Sequence, residues 1–215
     1  MDKRRITVKG KGNVRQKPDL VVITLHVESK HYEYEQAMDL ASESIQSLAS
    51  TVESLGFDRT DLKTTSFDID TDYERYKDRY DNYQRRFIGY IVSQRLNLTF
   101  AFDSKKLGEV LKGIAESSAN PRLSIGFSVK DQELLEEKLL IDAAKSAKRR
   151  AEILTKASGS KLGELLSIDY DWSELHFYSE VNLRSDMLLE ASALPEIEPE
   201  EIEVGDTVRF VWEIK

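Results

Sequence analysis

The run Leu20-Val21-Val22-Ile23-Thr24-Leu25-His26-Val27 decides how the rest of the chain is read. It is rich in β-branched residues and contains neither glycine nor proline, which reads as a buried strand. The apolar period then changes. From about residue 32 to residue 55, Ala37, Ala41, Ile45, Leu48, Val52 and Leu55 recur at steps of three and four. Most of the acidic residues between them fall elsewhere on the helical wheel, so the segment reads as an amphipathic helix. Gly56 stands where a left-handed helix cap is wanted, and Leu62 to Ile69 reads as the next strand.

The pattern continues in both directions. Phe87 to Phe102 alternates through Leu96, Leu98, Phe100 and Phe102, the signature of a strand with one buried face. Asp103 or Ser104 can cap a short helix carrying Leu107, Val110, Leu111 and Ile114. Leu123, Ile125, Phe127 and Val129 alternate again. Asp131 can cap a second long helix reaching about Ala157, with an expected stripe of Leu140, Ala144, Ala147, Ala151 and Leu154, and Gly159 closes it. Leu165 to Trp172 and Val208 to Ile214 read as the last strands.

This order predicts an α+β fold in one domain, 1–215, with an internal duplication over about 20–102 and 123–215. Each copy reads strand–helix–strand–strand, with its long helix packed on an antiparallel or mixed sheet and one short extra helix between the copies. The offset from Gly56 to Gly159 equals that from Leu62 to Leu165. Two excursions, about 70–86 and 173–206, fall at equivalent places in the copies.

Composition narrows the function classes. The chain has 215 residues, no cysteine and a net charge of −8. Disulfides, thiolate nucleophiles and cysteine-ligated metals are excluded. From Ser185 to Val208 there are eight acids and no Lys or Arg, so the rest of the chain is neutral. That balance argues against nucleic acid, whose binding depends on neutralising phosphate. No apolar run approaches the ~20 residues a membrane helix needs. Met1-Asp2-Lys3-Arg4-Arg5 is not followed by an apolar segment, so no signal peptide is read. The expected compartment is the cytoplasm, or the envelope if a leader has been removed.

Three ordered pieces carry a family resemblance. They are Ile6-Thr7-Val8-Lys9-Gly10-Lys11-Gly12 with Pro18-Asp19; Gly89-Tyr90 with Asp103-Ser104-Lys105-Lys106-Leu107-Gly108; and Ala143, Ala147, Ala151 with Leu154, Gly159 and Leu162-Gly163. Together they resemble the SIMPL-domain family of bacteria. The resemblance implies an α+β fold, a tendency to self-assemble, a loose link to stress responses and export of many relatives to the envelope. It brings no catalytic residue.

Few constellations point to chemistry. Gly10-Lys11-Gly12 lacks the third glycine of a dinucleotide loop, since position 15 is Arg15, and reads as a tight strand turn. Asp68, Asp70, Asp72 and Glu74 alternate, so on a strand they share one face. They depart from a calcium loop at Tyr73 and Arg79 and read as a solvated strand end, neutralised by Arg75, Lys77 and Arg79. His26, with His31 at a helix start and His176 far off, gives no metal set. No cofactor, metal or catalytic residue is expected. Tyr73, Tyr76, Tyr80 and Tyr83 are interleaved with Arg75, Lys77, Arg79, Arg85 and Arg86, and would form one stripe on a helix. Tyr and Arg are enriched at protein contacts, which makes these four tyrosines the candidate surface for self-contact or a partner. Leu194-Pro195 and Glu198-Pro199 suggest that the acidic segment is an extended arm. The expectation is a homo-oligomer or partner-binding protein, not an enzyme. The rival is a small-molecule binder or enzyme with a pocket between the repeats.

Overall fold

The computed structural model describes residues 4–171, 175, 177–181 and 198–215. Its described elements run β1 (Arg5–Gln16), β2 (Leu20–His31), α1 (Tyr34–Ser54), β3 (Leu62–Lys77), β4 (Tyr83–Ala101), α2 (Ser104–Ala115), β5 (Arg122–Ser128), α3 (Gln132–Ala157), β6 (Leu162–Asp169), β7 (Tyr178–Val181) and β8 (Ile202–Ile214). The fold is α+β. One sheet has the order β1-β8-β6, the other β3-β4-β2-β5-β7. The pairs β1/β8, β6/β8, β2/β4 and β3/β4 are antiparallel.

The chain divides into two compact units, each built from separate segments: 1–18, 128–179 and 199–215 in unit 1, and 19–127 with 180–198 in unit 2. Unit 2 holds all of 20–102, while 123–215 is shared between the two units. Strands 122–128 and 202–214, read as parts of one copy, lie in different sheets, and β1 pairs with β8.

Unit 2 is laid out by the patterns read above. Val21, Ile23, Leu25 and Val27 of β2 are buried, as are Leu96 and Leu98 of β4, Leu123, Ile125 and Phe127 of β5, and Leu48 and Val52 of α1. Leu107, Val110, Leu111 and Ile114 of α2 close the same core. The Asp103 carboxylate caps α2 by accepting from the backbone N–H of Lys105 (2.9 Å) and Lys106 (3.0 Å). The Lys106 ammonium in turn donates to the Leu55 carbonyl at the end of α1, a cation on orphan carbonyls at the negative end of a helix. Gly56 follows at φ +85°. His31 ends β2 rather than starting a helix, and its Nδ1 accepts from the Glu33 N–H just before α1.

Unit 1 departs from expectation in the face of α3. The buried residues are Leu135, Leu139, Ala143, Ala147, Ala151 and Thr155, one turn-by-turn row, while Leu154 is exposed. Leu140 and Ala144 are only partly buried. The reason lies in β1. Gly10, Lys11 and Gly12 are not a turn but the middle of a strand, paired with Val208, Thr207 and Asp206. A Cβ on Gly10 would lie 2.0 Å from the Ala143 carbonyl oxygen, and one on Gly12 would lie 2.2 Å from that of Leu139. Glycine on the strand and alanine on the helix let the two backbones approach more closely than larger side chains would permit. Val8, Val208, Phe210 and Trp212 pack around this contact, with Phe210 and Trp212 stacked at 5.4 Å.

Gly159, at φ +74° with open space about its missing Cβ, ends α3 in the left-handed conformation. Gly159→Val should therefore cost about 1 kcal/mol or more through backbone strain alone. Chemical denaturation checks this, and unchanged stability would mean the strain is absent.

The excursion expected at 70–86 is regular structure, because β3 and β4 continue through it. The acidic segment is a strand from Ile202 onward, where Glu203 pairs with Arg15 (3.0 Å) and accepts from the Asn13 side chain (2.6 Å). Those hydrogen bonds, Asn13's first, hold the Glu203 carboxyl below its usual range. The remainder of the proposed acidic arm, 182–197, and His176 lie outside the described residues. No described helix is long and apolar enough to cross a membrane.

Candidate interaction surface

The four candidate tyrosines lie on a two-stranded arm. β2 pairs with β4 only from Tyr90 to Ala101, whereas β3 stays paired with β4 out to Lys77↔Tyr83. Beyond Gly89, the ribbon therefore has no third strand among the described residues. A bare hairpin of this kind is marginal by itself, so its local contacts matter.

At its root, Gly89 takes φ +147°, and a Cβ there would lie 2.4 Å from the His31 carbonyl oxygen. The ladder shifts register here, between Asp72 and Tyr73. An aromatic cluster surrounds Phe87, with the rings of Tyr90, Tyr32 and Tyr73 at 5.3, 5.5 and 5.8 Å in edge-on contact. Tyr34 packs edge-on against Tyr90 at 5.5 Å. Such pairs contribute about 0.5–1.5 kcal/mol each beyond the area they bury.

At its tip, the Asp78 carboxylate accepts from the N–H groups of Tyr80 (2.8 Å) and Asn82 (3.0 Å). These bonds, Asn82's and then Tyr80's, hold its carboxyl below the usual range. Asp81 completes the turn at φ +62°, a conformation that Asp tolerates better than most residues.

The tyrosines do not form one stripe. Tyr73 and Tyr76 sit three positions apart on a strand and therefore face opposite sides. Tyr73 stands opposite Phe87, and Tyr76 opposite Gln84. Tyr80 is in the turn and Tyr83 opens β4, at 78% and 73% exposure. Three of the four rings carry a cation from the same arm: Arg85 over Tyr73 at 4.7 Å, Arg86 over Tyr76 at 5.8 Å and Lys77 over Tyr83 at 5.2 Å. The arm thus presents aromatic and cationic groups on both faces. The sequence reading missed Tyr32, Tyr34 and Phe87 as members of this surface, although Tyr32 and Tyr34 bracket a helix start and Phe87 opens a recognised strand.

The row Asp68, Asp70, Asp72 and Glu74 does share one face of β3. Its neutralising partners differ from those expected. Arg86 of β4 pairs with Glu74 directly opposite it, as cross-strand neighbours do, and the long Lys30 side chain of β2 reaches Asp72 at 3.5 Å across β4, where Gly89 stands opposite Asp72. Among the described residues, no three His, Asp or Glu side chains gather as a metal site. His26 faces Glu28, with Nε2 at 3.1 Å from Oε1, and Arg122 donates to the same oxygen. The histidine's hydrogen bond is the main reason the Glu28 carboxyl sits below its usual range, with Arg122's charge adding to it.

Unit 1 contains an open cavity of about 600 Å³ lined by Lys9, Ile168, Asp169, Tyr170, Asp171, Thr207 and Arg209. Burial, and then the charge of Asp206, push the Tyr170 phenol up. Two cations face two carboxylates across this hollow, so it offers no strong field of either sign.

The model of the family described as SIMPL, protein of unknown function (DUF541), matches residues 6–212. No curated protein matches the chain.

Proposed function

The chain belongs to the SIMPL family, and from that premise we propose that it is a non-enzymatic protein that works by contact, assembling with its own copies or binding a protein partner through the β3–β4 arm. The observation that supports this most is the pairing of tyrosine rings with Arg and Lys on both faces of a ribbon that has no third strand among the described residues. Tyr and Arg are the residues that most often dominate contact energies. Any part in a stress response, which the family resemblance suggests, would then be exerted through such contacts.

The test is absolute mass in solution by light scattering, at two protein and two salt concentrations. A multimer that loses subunits in the Tyr76→Ala/Tyr80→Ala variant, with its melting temperature kept, is the expected result. A multimer indifferent to both substitutions would remove the arm from the contact. A 24.7 kDa monomer would end the self-assembly reading. The rival reading, a small-molecule binder or enzyme, would then centre on the cavity beside Tyr170.

A further inference from the structure

The outer edges of the two sheets are not equivalent. β1 is an edge strand, but α3 lies against it and takes two of its outward groups: Arg150 donates to the Lys9 carbonyl (3.0 Å), and the Asn13 N–H donates to Asp142 (3.0 Å). β6 is also an edge, only eight residues long and twice irregular in register. β3 is different. It spans 16 residues at the end of its sheet, has no strand partner on its outer side among the described residues, and runs in unbroken register from Ser66 to Asp72.

The two faces of that edge carry different chemistry. Ile69 stands opposite Val92, which packs on Ala37 and Ala41 of α1. The odd-numbered residues therefore lie on the α1 side, where Phe67 is 47% and Ile69 36% exposed. The even-numbered residues, Asp68, Asp70 and Asp72, lie on the other side. Of these, Asp72 has Lys30 as a partner and Asp70 has no ion pair among the described residues. A second β3 laid against this edge would set carboxylate against carboxylate, which is destabilising. Natural sheets use such charges to prevent self-pairing. The same row attracts a strand of opposite charge.

We propose that β3 accepts, by strand addition, an extended segment of another protein in which basic and apolar residues alternate. The main-chain groups of the open edge supply hydrogen bonds, Asp68 and Asp70 take alternate Lys or Arg side chains, and Phe67 and Ile69 take the apolar residues between them. This inference rests on the contact-based reading above and names the partner class for its partner-binding branch.

The probe is a fluorescent peptide, Lys-Val-Lys-Val-Lys-Val-Lys, titrated against the full chain by anisotropy. Its controls are a peptide of the same composition with the lysines in one block, two versions N-methylated at odd or at even positions, and the Glu-for-Lys counterpart. The alternating peptide should bind about tenfold or more tightly than the blocked one, and one of the methylated versions should lose a similar factor, because each methyl removes a ladder donor. Asp68→Lys/Asp70→Lys should abolish binding of the Lys peptide and confer binding of the Glu peptide. Equal binding of the alternating and blocked peptides, or binding that survives both methylations or the charge reversal, would overturn the proposal. If the peptide fails while the mass of the protein still responds to Tyr76→Ala/Tyr80→Ala, strand addition falls and the contact reading stands. If mass is also unaffected, both fall.

Discussion

Gly10→Ala is expected to lower the melting temperature by about 5–10 °C, corresponding to about 2–3 kcal/mol for a chain of this size. The new methyl group would lie 2.0 Å from the Ala143 carbonyl oxygen and 2.7 Å from the Ala147 Cβ. The first of these is helix backbone, which cannot turn aside as a flexible side chain could. Either α3 lifts from β1, exposing Val8 and Phe210, or the strand bends away from β8. Gly108→Ala is the matched control. It lies inside α2 with nothing within 4 Å of the added carbon, so it should be neutral or stabilising by up to about 1 kcal/mol, the usual gain of alanine over glycine in a helix. Thermal melts followed by circular dichroism read both. A Gly10→Ala protein as stable as the parent would show that α3 has room to move and that the glycine is not required for packing.

Phe127→Ala should be the most damaging single truncation in unit 2, at about 3–5 kcal/mol. The ring is fully buried among the β2, β4, α1 and α2 side chains and meets Phe102 edge-on at 5.6 Å. Its neighbours in β2, β4 and β5 are themselves buried, so the cost includes a cavity as well as the lost transfer energy. Phe127→Leu, which keeps most of the volume, should cost less than half as much. A urea titration of the two variants measures the difference. Equal losses would mean that the site relaxes and that packing at this ring is not what holds β5 to the sheet.

Much of the fold was legible because its causes are local. The caps at Asp103 and Asp131 lie within three residues of the N–H groups they accept from. The positive φ of Gly56 and Gly159 follows from where the helical period stops. The alternation of Leu96 to Phe102 and of Leu123 to Val129 shows in a window of seven residues. The features that were misread have distant causes. Gly-Lys-Gly fits a turn as well as a strand until the backbone of residues 139–147 is laid against it. For the same reason, α3 offers two plausible apolar stripes, and the one with alanines at every fourth position is chosen by a strand more than a hundred residues earlier. The tyrosine spacing of three and four matches a helix, but Phe67, Ile69, Thr71 and Tyr73 alternating with acids have the period of a strand. That second period governs β3, and Asp78 turns the chain at the tip. The cations over the rings were present in the reading as composition, while their pairing required the hairpin register.

The pairing of β1 with β8 also sets an order of events. Arg5 stands opposite Glu213, so the first and last strands of the chain are neighbours. During synthesis, β1 emerges early and must wait for nearly two hundred residues before its partner exists. The core formed by residues 19–127 of unit 2 draws on one continuous stretch and can condense while the ribosome is still working. Unit 1 can close only once residues 202–214 have been made, and until then β1 lacks its β8 partner. The helix side chains that occupy two of its outward groups, Arg150 and Asp142, become available in the last third of that interval. They can hold β1 against α3 from its outward side before β8 arrives, which leaves the β8-facing side as the one still to be paired.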